Sequence, residues 1–379
     1  MDWVLWLEWF LKGLIMCLLL LTGFIVLTWY ERRALARIQT RIGPNRAGPF
    51  GLLQPFADAI KLVFKEEYTP RGVYKVIFIL APVLTVVPSL IIAAVIPLGP
   101  SFELFGRTIN LYVADLNVGV LYLMSIASIS VYGIVLAGWS SNNKYAMLGG
   151  LRSSAQMISY ELSLGLCFVI AIMLANSMSL VDITNAQTDM WFVVVQPVGA
   201  FVFFLVVLAE VNRAPFDMPE AEQELTAGYH SEYSGMKFAL FFMAEYQKMI
   251  VVSMITAVLF LGGYREPWFL KNTILSVDQY WFLGPIYMLI KVLLLLFVMI
   301  WIRATWPRVR YDRLMALGWK VILPLTLALA FITAVGILLA EPPGNPQLIW
   351  IVPVLSTISL LVTTAFIHRD LRRKTHAHA

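Results

Sequence analysis

The chain has 379 residues and a formal net charge of +5, with 60% hydrophobic and only 13% charged residues. A soluble domain carries about 25% charged residues, so this composition excludes a soluble globular protein and predicts an integral membrane protein. Its two cysteines, Cys17 and Cys167, lie far apart in apolar segments. That placement excludes a cysteine-ligated zinc or iron–sulfur site, and we predict no metal site.

Nine apolar segments have about the 20 residues that a helix needs to span a bilayer. They cover residues 11–30, 76–97, 117–138, 154–175, 191–209, 237–261, 283–302, 320–340 and 348–367. Basic residues follow the first segment instead of preceding it, so we interpret it as a retained helix and not as a signal peptide. We therefore predict an all-α polytopic membrane protein that forms a single integral membrane domain over residues 1–379.

The basic residues indicate how the chain is oriented. The segments on one side of the predicted membrane hold 22 lysines and arginines, and those on the other side hold 3. Because basic loops stay in the cytoplasm, the N-terminus is predicted to be periplasmic and the C-terminus cytoplasmic. An odd number of spans requires the same arrangement.

An amphipathic surface helix is predicted over residues 49–65. It has a polar stripe of Gln54, Asp58, Lys61 and Lys65 and an apolar stripe of Leu53, Phe56, Ile60 and Val63. An interfacial anchor would explain the same periodicity. Against that alternative, a carboxylate such as Asp58 adds nothing to the attraction of a helix for lipid.

An acidic loop is predicted over residues 210–236, between the fifth and sixth apolar segments. It contains five carboxylates, Glu210, Asp217, Glu220, Glu222 and Glu224. Pro215 and Pro219 exclude one continuous helix here, so the segment is predicted to be a folded cytoplasmic loop.

Several charged residues fall inside the apolar segments. Counting 1.5 Å per residue from the nearest loop charge puts Glu161 and Glu245 roughly 12–13 Å deep and Lys291 about 18 Å deep. An isolated charge at such depth costs about 2.5–3.5 kcal/mol. We interpret these groups as a proton path from the cytoplasmic acids towards the bilayer centre. The alternative is a static pair of Glu245 with Lys248, which share a helix face.

Three stretches resemble signature sequences of the H-type membrane subunit of the proton-translocating NADH:quinone oxidoreductase, respiratory complex I. They are GLLQPFADAIKLVFKE, GWSSNNKYAMLGGLRSSAQMISYE and EVNRAPFDMPEAEQELTAGYHSEYSG. The family includes the first NADH dehydrogenase subunit encoded by mitochondria. The resemblance covers nearly the whole chain. The ninth segment departs from it, since many members end after eight.

The resemblance implies a function for the charged residues. In this family the subunit closes the membrane end of a quinone chamber, against peripheral subunits that carry the last iron–sulfur cluster, and acidic residues couple quinone reduction to antiporter-like subunits. The positions that match the coupling residues are Glu161, Glu210, Asp217, Glu220, Glu222, Glu224 and Glu245. Those that match the quinone entrance are Glu31, Arg32, Asp58, Lys61 and Arg213.

The resemblance also implies that quinone is a substrate and that FMN and the iron–sulfur clusters lie in partner subunits. The chain has no GxGxxG or Walker sequence, so it is not expected to oxidise NADH alone. Two alternatives stay open: the equivalent subunit of a membrane-bound hydrogenase or ferredoxin-fed complex, and an independent secondary transporter. The absence of a transit peptide favours a bacterial inner membrane.

Overall fold

The structure is a computed structural model that describes residues 3–104, 106–217, 228–271, 273, 275–340 and 346–377. Within these residues, eight helices are long and apolar enough to span a bilayer. The helices are α1 (Trp3–Ile38), α2 (Gln54–Phe64), α3 (Lys75–Ile91), α4 (Gly119–Ser140), α5 (Lys144–Ala175), α6 (Leu180–Ala186), α7 (Phe192–Val195), α8 (Pro197–Glu210), α9 (Gly235–Phe260), α10 (Leu283–Thr305), α11 (Tyr311–Leu317), α12 (Leu323–Ala340) and α13 (Ile351–Ala377). A π-helical turn, Gly318–Ile322, joins α11 to α12.

The predicted all-α architecture is confirmed. In eight of the nine predicted segments, the described residues form a helix that is long and apolar enough to span a bilayer. The strands that the structure describes form one small antiparallel hairpin between α3 and α4, with β1 (Phe102–Leu104) paired to β2 (Arg107–Ile109). The predicted surface helix 49–65 is a short 3-10 turn, Pro49–Gly51, followed by α2.

The fifth predicted span, 191–209, differs from expectation. It is divided at Gln196 into the four-residue α7 and the 14-residue α8. Pro197 begins α8, which suits proline because the first turn of a helix leaves its amide groups unbonded. Fourteen residues extend only about 21 Å, which is less than the hydrocarbon thickness of about 30 Å. The fifth predicted segment is therefore two short helices in series and not one continuous helix.

The fourth span begins earlier than predicted. α5 starts at Lys144 and not near residue 154, because the Asn143 side chain accepts a hydrogen bond from the Tyr145 amide at 3.0 Å and caps the helix. Residues 144–153, which precede the fourth predicted span at 154–175, are thus helix as well. Gly138 and Gly150 allow the backbones of α4 and α5 to approach closely, since an added Cβ at Gly138 would lie 3.2 Å from Gly150 Cα.

Helix α9 occupies the centre of the bundle. More than half of its most apolar window is buried, a larger share than in any other described span, and α1, α3, α8 and α10 all pack against it. The helix ends divide the loops into two sets. We call the set containing residues 39–74, 141–143, 211–217 and 228–234 the basic end, and the set containing residues 176–179, 261–271 and 275–282 the opposite end.

Candidate functional site

A cavity of about 620 Å³ lies between α1, α2 and α9. Most of its wall is apolar and includes Phe24, Leu62 and Phe242, while Arg32, Asp58 and Lys61 line it as charged residues. Such a mixture suits a ligand with a long apolar part and a small polar head.

The charged part of the wall is held by contacts between α1 and α2. Arg32 Nη1 lies 2.5 Å from Asp58 Oδ2, and Gln54 Nε2 donates to Asp58 Oδ1 at 3.2 Å. The apolar stripe is more than half exposed: Ile60 (58%) suits contact with lipid, and Val63 (59%) lines the cavity. α2 therefore combines an interfacial face with polar groups that line the cavity.

A buried ionic network lies beside this cavity. Arg213, 4% exposed, donates from Nη1 to Glu31 Oε1 at 3.0 Å, and its Nε is 2.5 Å from Glu245 Oε1. Arg303 donates to the same oxygen of Glu31. Burial favours loss of the proton from Arg213, but the carboxylates of Glu245 and Glu31 outweigh it and raise the pKa of Arg213 well above its usual range. Arg213 thus stays positively charged.

Tyr246 connects the cavity and the network. Its ring lines the cavity, and Arg213 Cζ lies 4.4 Å from the ring centroid. This is cation–π distance. A charge that develops in the cavity is therefore separated from Arg213 by one aromatic side chain.

A second group of charges lies deeper in the bundle. Glu161 from α5, Glu210 from α8 and Lys248 from α9 line a cavity of about 50 Å³, and Ser128 donates to Glu161. A cavity of about 30 Å³ is lined by Lys248, Glu245 and other residues. Both volumes exceed the roughly 10–15 Å³ that one water needs, and charged side chains line each cavity, although most of the wall of the larger one is apolar. Lys248 borders both cavities, so it lies between Glu245 and the pair Glu161 and Glu210.

Three members of this site were not among the predicted site residues. Lys248 had a sequence signal, since it follows Glu245 by three residues, but it was considered only as a static partner. Tyr246 and Arg303 had no local signal, because their roles depend on contacts between different helices.

Gln156 holds the two groups of charges in position. It is fully buried on α5 and donates from Nε2 to the carbonyl oxygens of Ala209 and Phe216 at 2.8 and 2.9 Å. These residues flank Glu210 and Arg213 in the chain. α5 therefore fixes the start of the acidic loop.

The end of the acidic loop is also docked on α5. A Cβ added to Gly149 would lie 2.6 Å from Gly228 Cα, so the two backbones are in direct contact. His230 is packed against the rings of Tyr229 and Phe241, and burial lowers its pKa to about 3. It is therefore neutral at physiological pH.

The remaining predicted residues have different outcomes. Asp217 ends the described first part of the acidic loop. Glu220, Glu222 and Glu224 lie outside the described residues. Lys291 does not join the carboxylates of the basic end, because its ammonium group contacts loop carbonyls at the opposite end.

Comparisons with known proteins identify the family. A family model described as NADH dehydrogenase matches residues 11–334. The second H-type subunit of the NADH-quinone oxidoreductases of Syntrophobacter fumaroxidans is 51% identical over 322 residues, covering 85% of this chain and 92% of the relative. The H-type subunit of the Thermomicrobium roseum enzyme is 48% identical over 337 residues, covering 86% of this chain and 95% of the relative. The chain therefore belongs to the NADH dehydrogenase family, and over most of its length it is similar to the H-type subunits of NADH-quinone oxidoreductases.

Proposed function

We propose that this chain forms the membrane end of the quinone chamber of an NADH-quinone oxidoreductase and couples quinone reduction to proton translocation. The observation that carries the proposal is the shared position of Tyr246, which lines the 620 Å³ cavity and stacks on Arg213 of the buried ionic network. The names of the relatives supply the electron donor and acceptor.

The cavity suits each part of a quinone. Its apolar wall, formed by α1, α2 and α9, accommodates an isoprenoid tail, and Arg32, Asp58 and Lys61 offer polar contacts to a head group that passes towards the peripheral subunits. Reduction of a quinone to a quinol consumes two electrons and two protons. The electrons come from iron–sulfur clusters and FMN in the peripheral partners.

The charged residues suit the coupling step. Proton uptake by the reduced quinone changes the charge next to Tyr246, and Arg213 responds because it is bound to two carboxylates at once. Movement of Arg213 alters the charge on Glu245, and Lys248 extends the effect to Glu210 and Glu161, since it borders both small cavities. Antiporter-like and small membrane subunits of the complex receive this change in charge.

The sidedness of the chain follows from its charges. The basic end faces the cytoplasm of a bacterial inner membrane, because loops rich in lysine and arginine are retained there. The N-terminus is then periplasmic and the C-terminus cytoplasmic. Helix α2 and the acidic loop lie at the basic end, where the peripheral arm docks.

Substitutions in the cavity wall test the quinone site. We expect Asp58→Ala and Lys61→Ala, in the whole purified complex, to raise the KM for quinone by about tenfold, the effect of losing one charge-assisted hydrogen bond of about 1.5 kcal/mol. Reduction of a water-soluble acceptor by the peripheral arm should be unchanged. Asp312→Ala is the matched control, since this aspartate is exposed at the same end. An unchanged KM for quinone, or equal loss of both activities, would contradict the assignment.

Substitutions in the acidic group test the coupling. We expect Glu210→Gln and Glu222→Gln to lower quinone reduction and proton pumping together in an assembled complex. The physical reason is that a neutral amide keeps the shape of the side chain but cannot release a proton. The measurement is NADH oxidation and proton uptake in proteoliposomes. Turnover and pumping at the wild-type level would refute the coupling role.

A further inference from the structure

Asn212 is a buried polar residue that the proposed mechanism does not use. It is 8% exposed and follows the end of α8, two residues after Glu210. Together with Glu245 and Lys248 it lines the cavity of about 30 Å³. Its Oδ1 is buried, and within the part of the chain that the structure describes no donor lies within hydrogen-bond distance of this oxygen. A buried acceptor that stays unpaired is unfavourable, so Oδ1 needs a partner.

The backbone at this position requires a residue that tolerates positive φ, but it does not require an amide side chain. The Asn212 amide donates to the Ala209 carbonyl at 3.3 Å, and the Arg213 amide donates to the Leu208 carbonyl at 3.4 Å. This pair of bonds is the Schellman pattern that ends many helices, and Asn212 is its left-handed residue, with a φ of +56°. Glycine adopts that conformation with the least strain. A glycine would therefore form the same turn without placing a polar group in the cavity wall.

A water in the cavity supplies the missing partner. The volume of about 30 Å³ exceeds the roughly 10–15 Å³ that one water occupies. A buried water needs two to four polar partners, and Asn212, Glu245 and Lys248 line the cavity. Because water both donates and accepts, it pairs with either end of a carboxamide. The cavity is so small that a water inside it lies close to all three side chains.

Asn212 differs from the other two residues in that it has no proton to lose or gain near neutral pH. The hydrogen bonds that Glu245 and Lys248 make to a water change whenever either group changes its protonation state. The carboxamide of Asn212 keeps the same donors and acceptor throughout. It can therefore hold the water in one place while the charges around it change.

We propose that Asn212 is a positioning residue that holds a water between Glu245 and Lys248, and that protons cross this part of the path through that water. Once Arg213 has moved and Glu245 carries a proton, the water receives that proton and releases another to the neutral amine of Lys248. The products are a carboxylate, an ammonium group and an unchanged water, so protons and charge balance. This inference rests on the proposed function, since it adds a step to the coupling path.

The first test locates the water in the resting complex and needs no turnover. A cryo-electron-microscopy map of the whole complex, at a resolution that shows ordered waters, should contain one within hydrogen-bond distance of the Asn212 side chain. The density should be lost in Asn212→Leu, because leucine has a similar volume but no polar atom in its side chain. A map that shows other buried waters but none at Asn212 overturns the proposal.

The second test measures turnover and proton pumping in proteoliposomes. We expect Asn212→Leu and Asn212→Gly to lower both about tenfold, since that factor corresponds to about 1.4 kcal/mol, the energy of one good hydrogen bond. The loss should affect kcat and not the KM for quinone, because the larger cavity is unchanged. The solvent deuterium isotope effect on turnover should rise as proton transfer becomes rate-limiting. A loss of stability alone would not raise it.

Asn176→Leu is the matched control. Asn176 ends α5 in the same left-handed conformation, with a φ of +52°, but it is exposed and lies at the opposite end. Leucine brings the same backbone strain there without reaching the cavity, so turnover and the isotope effect should match the wild type.

Asn212→Gly decides the outcome, because glycine suits the turn and separates the side chain from the backbone. Wild-type turnover and a wild-type isotope effect in the assembled Asn212→Gly complex would refute the role of Asn212. If Glu210→Gln lowers turnover and pumping while Asn212→Gly does not, the water relay fails and the proposed function stands. If the water is present at Asn212 but Glu210→Gln keeps wild-type turnover and pumping, the proposed function fails and the water site stands.

Discussion

Replacement of Arg213 by methionine removes the positive charge that two carboxylates share, the buried Glu31 and the partly buried Glu245. Arg213 binds Glu31 at 3.0 Å and Glu245 at 2.5 Å, and it stacks on Tyr246. Removing one partner of a buried ion pair costs about 3–5 kcal/mol. Glu31 keeps Arg303 as a partner, so we expect a cost near the lower limit, about 3 kcal/mol.

This cost predicts a large loss of activity. Since about 1.4 kcal/mol corresponds to a factor of ten, a loss of about 3 kcal/mol lowers the population of the arrangement that supports quinone reduction about a hundredfold. NADH:quinone reductase activity of the purified complex should fall by a similar factor. The reduction of a water-soluble acceptor by the peripheral arm should be unchanged, because that reaction does not pass through the membrane subunit.

Two further variants test the physical reason. Arg310→Met is the matched control: this arginine is exposed and pairs with the exposed Asp312 at 3.3 Å, so its loss should cost less than about 1 kcal/mol. The double variant Arg213→Met with Glu245→Gln should recover thermal stability of the complex relative to Arg213→Met, because it removes the uncompensated carboxylate, while its reductase activity stays low because Glu245 belongs to the proposed coupling path. If the effects of the two single substitutions add within about 0.5 kcal/mol, the residues are not coupled and the reasoning is refuted.

Two predictions concern close helix contacts. Gly149→Ala should lower quinone reductase activity and the thermal stability of the complex, because the new Cβ would lie 2.6 Å from Gly228 Cα. Gly165→Ala on the same helix is the control. Its Cβ would meet only a flexible methionine side chain at 3.1 Å, so this substitution should be tolerated. Gly336→Ala should lower the melting temperature of the complex, because its Cβ would lie 2.1 Å from Val352 Cγ2. The double variant Gly336→Ala with Val352→Ala should regain the wild-type melting temperature. A melting temperature that stays low in the double variant would contradict a direct clash.

Some features of the site had a signal in the sequence. The period of α2 placed Asp58 and Lys61 on one polar stripe, and both line the cavity. Proline and a change in composition marked the end of α8 at Glu210. Local patterns suffice for such features because helix periodicity and helix termini depend on neighbouring residues.

Other features were missed. The break at Gln196 had a local signal, because the residue before a proline is disfavoured in a helix, but the apolar length of residues 191–209 was given more weight. The early start of α5 was missed because GWSSNNKYAMLGG is polar and rich in glycine, which usually indicates a loop. In the structure these glycines serve close packing instead, as at Gly149 against Gly228.

The sequence by itself determined that the chain lies in a membrane, where most of its apolar helices lie, and which charged residues fall inside them. Only the tertiary structure decided which partner each charge has. Arg213 joins Glu31 and Glu245, Lys248 borders two small cavities with Glu245, Glu161 and Glu210, and Lys291 contacts backbone carbonyls at the opposite end. The reason is physical. Hydrophobic length and helix period are local properties, whereas the position of a buried charge depends on contacts between residues as distant in sequence as Glu31 and Arg303.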